Sequence, residues 1–488
     1  MVSLSSMYGN PFSEKSVRGA ARNFKRYARK FGFDPGWTQC LQAAPLPEEY
    51  DFFGIQKLVQ GTEASSPLDE ERGVILGTIR MGFGHYRISL ALASAAASMG
   101  LIPYWLDFFA FPDTPASRTI AHLEHLYNAA SRISQRSKLF NKYIWEKAAS
   151  NASLRFSTQA REKALAEIYA PMCSSLPKSM PYIATHPFTG HAAVSAGMRN
   201  VVDVVPDNYA IAFNLVDGAI HAVQTPSLYL GYRTLRDMSE RGQPPLNPMP
   251  RDQIRCVGHF IDHELVANIE ADCDRRLRRI AGRKARRILL TMGGAGAQVQ
   301  RFRDIIVYCR DWIREDRAAL FVNMGDHEGR WNELRAALDE RGIQYVLHAD
   351  WKETAAFSEE VLDGEVRGIH VFLHKEMFPA VYSTNLLMRA TDVMITKPSE
   401  LSFYPVPKLF IQRVGRHEAW GAIHSAEIGD GTMETGSVDG VYQSLRVIIG
   451  EDDLFTMYCS NIVKNKSIGI YNGAYEAVRI AVGRRKAG

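Results

Sequence analysis

Gly73-Val74-Ile75-Leu76-Gly77-Thr78-Ile79-Arg80-Met81-Gly82-Phe83-Gly84-His85 is the stretch that decides the fold class of this chain. Its apolar head reads as a buried strand, and the glycines at 82 and 84 read as the turn that ends it. An alanine-rich helix follows from Ile88 to Ala97, then a second strand at Ile102–Leu106. That is the opening of a βαβ unit. Small residues at such a turn let backbone N–H groups and a helix N-terminus approach an anion or a sugar. The spacing is not G-x-G-x-x-G, so no dinucleotide fingerprint is satisfied. His85 stands directly behind the last glycine, where a ligand approaches, and histidine is the side chain whose ordinary pKa lies near neutral. It is a candidate base or hydroxyl partner; the plainer alternative is a cap on the helix start.

The same rhythm runs outward in both directions. Strands are predicted at 73–77, 102–106, 181–185, 200–205, 219–223 and 254–257, with a helical stretch over 116–170. A second series starts at Arg287-Ile288-Leu289-Leu290-Thr291-Met292 and runs into Gly293-Gly294-Ala295-Gly296. Strands follow near 319–323, 344–347, 370–373, 392–395 and 408–412. Alternating strands and helices imply a parallel sheet covered on both faces in each half. The expected fold class is α/β, with two Rossmann-like domains facing a central cleft and a helical N-terminal extension. The expected boundaries are 1–70 for the extension, 71–262 for an acceptor domain, 263–470 for a donor domain and 471–488 for a helix that crosses back to the N-terminal domain.

Composition narrows the class. The chain has 488 residues, 46% of them hydrophobic and 23% charged, which is ordinary for a folded protein of two or three domains. Six cysteines without C-x-x-C spacing argue against a zinc site or a disulfide framework. No secretory signal and no membrane-spanning apolar run is evident, so the expected location is cytoplasmic, or peripheral at the inner membrane face. A net charge of +5 and the lack of a recognition motif argue against a nucleic-acid partner. Lys15, Arg18, Arg22, Lys25, Arg26, Arg29 and Lys30 decorate one predicted helix, whose apolar stripe is Val17, Ala21, Phe24, Ala28 and Phe31. Such a helix over 15–31 can lie on an anionic membrane. The more ordinary reading packs it on the body with its basic face in water.

Polar residues gather at predicted strand ends. Asp107 follows the second strand and can act as a base, orient His85 or cap a turn. His186 and His191 bracket a turn expected to face the same cleft, as do Asp207 and Asn208. Gly293, Gly294 and Gly296 can cradle a diphosphate through backbone N–H groups. Lys397 can neutralise phosphate and Glu400 can take two ribose hydroxyls, with Ser399 in the same turn. His417 and Glu418 can hold sugar hydroxyls. Asp272-Cys273-Asp274 has the shape of a metal-binding D-x-D, but it lies in a charged helical run and reads as a solvated face without a metal.

In this order the motifs resemble the family-28 glycosyltransferases of the GT-B fold. The nearest patterns are the monogalactosyldiacylglycerol synthases and bacterial diacylglycerol glucosyltransferases; the N-acetylglucosaminyltransferase that forms lipid II is more distant. The family's G-G-G-H-R resembles Gly82-Phe83-Gly84-His85 with Arg87, and its S-V-H-P resembles Ala184-Thr185-His186-Pro187. Its L-L-M-G-G-G-x-G resembles Leu290 through Gly296, and its donor motif resembles Val393–Lys397 and Glu400–Pro407. Here Lys397-Pro398-Ser399-Glu400 replaces a longer Gly-Pro-Gly-Thr loop.

The resemblance implies a metal-independent, inverting transfer of a hexose from a nucleoside diphosphate sugar, a UDP-sugar first, with no further cofactor. His85 or Asp107 would be catalytic. Gly84, Arg87, His186, His191, Asp207, Asn208 and Glu418 would contact acceptor or sugar. Gly293, Gly294, Gly296, Lys397, Ser399, Glu400 and His417 would bind the nucleotide sugar. The implied acceptor is a membrane lipid; the alternatives are a soluble sugar or secondary metabolite, and a non-catalytic sugar-nucleotide scaffold favoured by the shortened loop.

Overall fold

Eight strands hydrogen-bond into one sheet in the N-terminal half and six into another in the C-terminal half. The structure is a computed structural model that describes residues 5–62, 65–136 (side chains to 126), 155–240, 242–294, 296–413, 415 and 418–483. It divides into two units. The first comprises Met1–Met81, Ile88–Gly258 and Gly473–Gly488; the second comprises Gly82–Arg87 and His259–Asn472. The polypeptide thus leaves the first unit for six residues, at the glycine turn itself.

In the first unit, β1 (Ser6–Met7) and β2 (Asn10–Pro11) form a small hairpin. The main strands are β3 (Leu41–Pro45), β4 (Gln56–Gln60), β5 (Gly73–Thr78), β6 (Ile102–Asp107), β7 (Pro181–Ala184), β8 (Asn200–Val204), β9 (Ile220–Val223) and β10 (Ile254–Cys256). Their spatial order is β10-β9-β8-β7-β5-β6-β4-β3, parallel throughout except for the β3–β4 pair. All six residues of β5 are buried, because both faces of a parallel sheet are covered. Gly77 is needed in β5, since a Cβ there would collide with the Tyr182 ring and hydroxyl on the neighbouring strand.

The N-terminal extension corrects an expectation. Residues before 70 carry no evident α/β rhythm, yet β3 and β4 lengthen the sheet beyond β6. Five-residue strands at a sheet edge leave one side solvated and give too short a pattern to read. Helix α1 (Glu14–Phe31) is capped by Ser13 and ended by Gly32 at φ 70°. It packs on the helices Pro115–Arg136 and Gln159–Tyr169. Its buried face runs through Ala20 and Tyr27, with Val17, Phe24, Ala28 and Phe31 alongside, while Ala21 is exposed. All seven basic residues point to solvent. The apolar stripe is therefore spent on the protein core, which is the ordinary reading of the helix. The last described helix, Gly473–Gly483, packs against β7 and β8 of this unit.

The second unit carries β11 (Arg286–Thr291), β12 (Ala318–Gly325), β13 (Val346–His348), β14 (Gly368–Leu373), β15 (Val393–Thr396) and β16 (Lys408–Phe410). The order is β13-β14-β12-β11-β15-β16, all parallel. Ile288, Leu290, Val322, Val371 and Ile395 meet Phe302, Ile305 and Leu445 of flanking helices in one core. Each fully buried aliphatic side chain contributes about 1.5–3 kcal/mol. Lys408 and Asp430 are paired at 2.8 Å and both 0% exposed. Ser425 and Tyr471 also donate to Asp430, so the buried charge is hydrogen-bonded on several sides.

The fold class, α/β with two Rossmann-like units, agrees with the sequence reading, and the twelve strands expected there coincide with β5–β16 apart from end residues. No described helix is long and apolar enough to cross a membrane.

Candidate functional site

Each sheet has a topological switch point, where the chain changes the direction in which it adds strands. In open α/β sheets ligands bind there, outside the carboxyl ends of the strands. In the first unit the switch lies between β5 and β7. Thr185 Oγ1, just past β7, donates to Thr78 Oγ1 at 3.1 Å and lies 2.9 Å from Ser89 Oγ. Thr78, Ser89 and Thr185 are completely buried. These three neutral hydroxyls hydrogen-bond one another.

His186 follows Thr185 and serves as the N-cap of the helix Pro187–Ser195; its Nδ1 accepts from Phe188 N at 3.2 Å. Proline at the first helical position makes this a helix start. The expectation that His186 and His191 bracket a turn is thereby corrected. His191 lies inside that helix, 4% exposed, and burial with nearby Lys163 and His221 pushes its imidazole down to about 3. Asp107 caps the short turn Phe108–Ala110, accepting from Phe109 N at 2.9 Å. Asn208 accepts from Thr225 Oγ1, which in turn caps the helix Pro226–Arg233, and Asp207 beside it is half-buried.

In the second unit the switch lies between β11 and β15, and it is built differently. Gly293 and Gly294 follow β11, and Lys397 follows β15. A Cβ on Gly293 would stand 3.2 Å from Lys397 Cε, so glycine here lets the lysine stem lie against the turn. Gly296, at φ 59°, closes the turn by donating to Gly293 O at 2.9 Å. The helix Val299–Arg314 starts directly behind it. Lys397 Nζ is paired with Glu418, whose other oxygen accepts from Gly415 N at 3.0 Å. Ser399 Oγ is buried and has no hydrogen-bond partner among the described residues.

The turn Gly82–Arg87 belongs to this same unit. Helix α2 (Gly84–Ser98) begins there, and a Cβ on Gly84 would be 3.3 Å from Glu400 Oε2. The Glu400 carboxylate thus lies at a helix N-terminus, which favours negative charge. Arg87 Nε is 3.6 Å from Glu400 Oε1, and Arg87 Nη1 donates to Val381 O and to Asn385 Oδ1. Asn385 donates in turn to Asp262 at 2.9 Å. Burial pushes the Asp262 carboxyl up to about 6, opposed by its backbone and Asn385 hydrogen bonds. Arg87, expected to contact sugar, is 1% exposed and ties the turn Gly82–Arg87 to the helix Met377–Ala390 and to Glu400. His85 is half-buried beside it.

Phe83 completes the arrangement. A Cβ on Gly294 would fall 2.6 Å from Gly82 Cα, and one on Gly325 would fall 2.7 Å from the Phe83 ring. The Phe83 ring also lies 5.4 Å from that of His327, whose Nε2 is 3.0 Å from Gly293 O. The turn Gly82–Phe83 therefore fills the space over Gly294. His327 was not among the expected site residues, although its position two residues past the end of β12 is a strand-end signal of the kind used for Asp107. Asp262, Asn385 and Tyr404, whose ring lies 6.0 Å from the Arg87 guanidinium, carry no local signal at all. His417 lies outside the described residues.

Asp272 of the D-x-D segment corrects another expectation. It is buried and ion-paired with Arg275 at 3.1 Å and Arg389 at 3.4 Å, so only Asp274 presents a solvated face.

Residues 6–234 match the model of one domain of unknown function (DUF6937), and residues 249–482 match that of another (DUF6938). No curated protein matches the chain. Among solved structures it is similar to the UDP-GlcNAc 2-epimerase of Neisseria meningitidis bound to UDP-GlcNAc, at 9% identity and a TM-score of 0.45, covering 84% of this chain and 100% of that one. The glycosyltransferase SnogD of Streptomyces nogalater gives 12% identity and a TM-score of 0.41 over 84% and 99%. The α,α-trehalose 6-phosphate synthase of Burkholderia multivorans gives 9% and 0.40 over 86% and 98%.

Proposed function

We propose that this chain is a glycosyltransferase that moves a hexose from a nucleoside diphosphate sugar, a UDP-sugar first, to an acceptor hydroxyl. The observation that carries the reading is the second unit's switch point: a glycine turn with a lysine stem against it, a helix start behind it and an unsatisfied serine hydroxyl beside it. Backbone N–H groups at such a turn take phosphate oxygens, and Lys397 supplies the charge. The motif resemblance supplies the reaction class.

In this reading Gly293, Gly294, Lys397 and Ser399 hold the diphosphate, and Glu400 takes the ribose. His85 removes the acceptor hydroxyl proton as the oxygen attacks the anomeric carbon. The bond from that carbon to the diphosphate oxygen breaks with inversion, and Lys397 and the helix start stabilise the leaving charge. Gly82–Phe83 has to withdraw from Gly294 for the donor to enter. The exposed basic face of α1 supports a lipid acceptor at an anionic membrane, tested by salt-sensitive co-sedimentation with anionic vesicles.

The test is thermal-shift stabilisation against UDP, GDP, ADP, TDP and CDP, followed by turnover of His85→Ala. One nucleotide at a hundred times its Kd adds about 2.7 kcal/mol. The His85→Ala protein is expected to lose about a hundredfold or more in kcat. Near-normal turnover in a folded His85→Ala protein would remove the base assignment. No response to any nucleotide would favour a non-catalytic scaffold, a reading supported by the filled space over Gly294 and the Lys397–Glu418 pair.

A further inference from the structure

The opposite end of the second sheet's strands holds a cavity of about 540 Å³ that the proposed transfer does not use. Its walls come from residues that precede or open β11 and that precede β12 and β14, and from the C-terminal halves of the helices Ile269–Ala281 and Trp351–Asp363. It therefore lies at the amino ends of the strands, whereas the glycine turn lies at their carboxyl ends. Seven of its lining residues are basic and three are acidic.

The acids are already spoken for. Asp363 pairs with Arg275, Glu365 with Lys284 and Asp316 with Arg367, at 3.1, 2.5 and 3.0 Å. Four further cations remain. Arg278 and Arg283 are exposed and have no carboxylate partner among the described residues. Arg287 is buried, and its guanidinium donates to the carbonyls of Val361 and Gly364. Arg279 is nine-tenths buried and binds Asp392 through Nε and Nη2, while its Nη1 has no partner among the described residues. Arginines in the last turn of a helix complement its dipole, which accounts for Arg278 and Arg279. It does not account for Arg283 or Arg287, nor for a buried guanidinium nitrogen left unsatisfied, which costs free energy. Burial and the neighbouring Arg279 charge push Arg287 down to about 10, as expected of a site with surplus positive charge.

We propose that this cavity binds the phosphate groups of a small phosphorylated ligand, separately from the glycine-turn site. Guanidinium forks match phosphate oxygens in pairs, and the volume suits a small molecule. Arg278 and Arg283 form the mouth, and Arg279 Nη1 supplies the inner donor.

Isothermal titration at low salt with inorganic phosphate, pyrophosphate and a single-stranded oligonucleotide tests the proposal on three full-length proteins. These are the natural chain, Arg278→Glu/Arg283→Glu and Lys397→Met. Both arginines are exposed, so the double variant should keep its circular dichroism. The expected result is a pyrophosphate site that weakens about tenfold or more in the arginine variant and persists in Lys397→Met, whatever that variant loses at the glycine turn. Binding lost in Lys397→Met but kept in the arginine variant would overturn it, as would no phosphate or pyrophosphate binding to the natural chain. An arginine-dependent oligonucleotide complex without pyrophosphate binding would also overturn it, in favour of a nucleic-acid surface.

Discussion

The two switch points are the same position in the same kind of sheet, yet they are built from opposite chemistry. Between β5 and β7 three buried hydroxyls satisfy one another, and a histidine caps the following helix. Between β11 and β15 glycines make the turn, and Lys397, Glu418, Glu400 and Arg87 surround it. Neutral hydroxyls bonded to one another bring no positive charge to an anion. A glycine turn with charges beside it has backbone donors and a cation that a phosphate can take. The difference teaches that topology alone marks two crevices, while side-chain chemistry distinguishes the one to which the proposed function assigns the donor.

The largest expected effect concerns the frame of the charged switch. Lys408 lies on β16, beside β15, and its ion pair with Asp430 is wholly buried. Lys408→Met leaves Asp430 without its cation and is expected to cost about 3–5 kcal/mol, read by denaturant unfolding. A loss below about 1 kcal/mol would mean that this side is not held by buried charge.

Next comes Lys397→Met, expected to weaken nucleotide binding about 10- to 100-fold, since a hydrogen bond to a charged group contributes about 1.5–3 kcal/mol. Glu418→Gln added to it removes the negative charge that has lost its lysine and keeps the protein folded for calorimetry. An unchanged Kd would break the comparison on the side of the second unit.

Thr185→Val probes the other switch. Thr78 and Ser89 would lose a buried partner, at about 1–2 kcal/mol of stability, with nucleotide affinity unchanged. An affinity loss larger than that of Lys397→Met would reverse the assignment of the two crevices.

The most gradual effect is a pH slope. The folded His191 ring is held near 3, below its usual 6.5, so the unfolded chain takes up a proton first as pH falls. Its contribution is fully present above about pH 6.5 and is lost at about 1.4 kcal/mol per pH unit on the way down to 3. His191→Leu should flatten the acid limb of a Tm-against-pH curve by about one proton. An unaltered limb would show that His191 is open to solvent in the first unit.

Much of the candidate site was legible residue by residue. Gly293, Gly294, Lys397 and Glu400 stand at strand ends, and a strand end followed by glycine or charge is a local pattern. His186 and His191 were legible as polar residues but not in their roles, because a capping bond and a buried helix face depend on neighbours far along the chain. Arg87 illustrates the same limit. Its partners Val381, Asn385 and Glu400 lie about three hundred residues away, and no short-range period encodes them.

By itself the sequence determined the α/β class, the run of strands from β5 to β16 and the two glycine turns, since buried parallel strands and tight turns impose apolar runs and small residues locally. Only the tertiary structure decided that Gly82–Arg87 joins the second unit, that Phe83 covers Gly294, that β3 and β4 extend the first sheet and that the basic helix turns its apolar face inward. Those outcomes depend on which surfaces meet, and close packing selects them through shape and charge between residues that sequence distance separates.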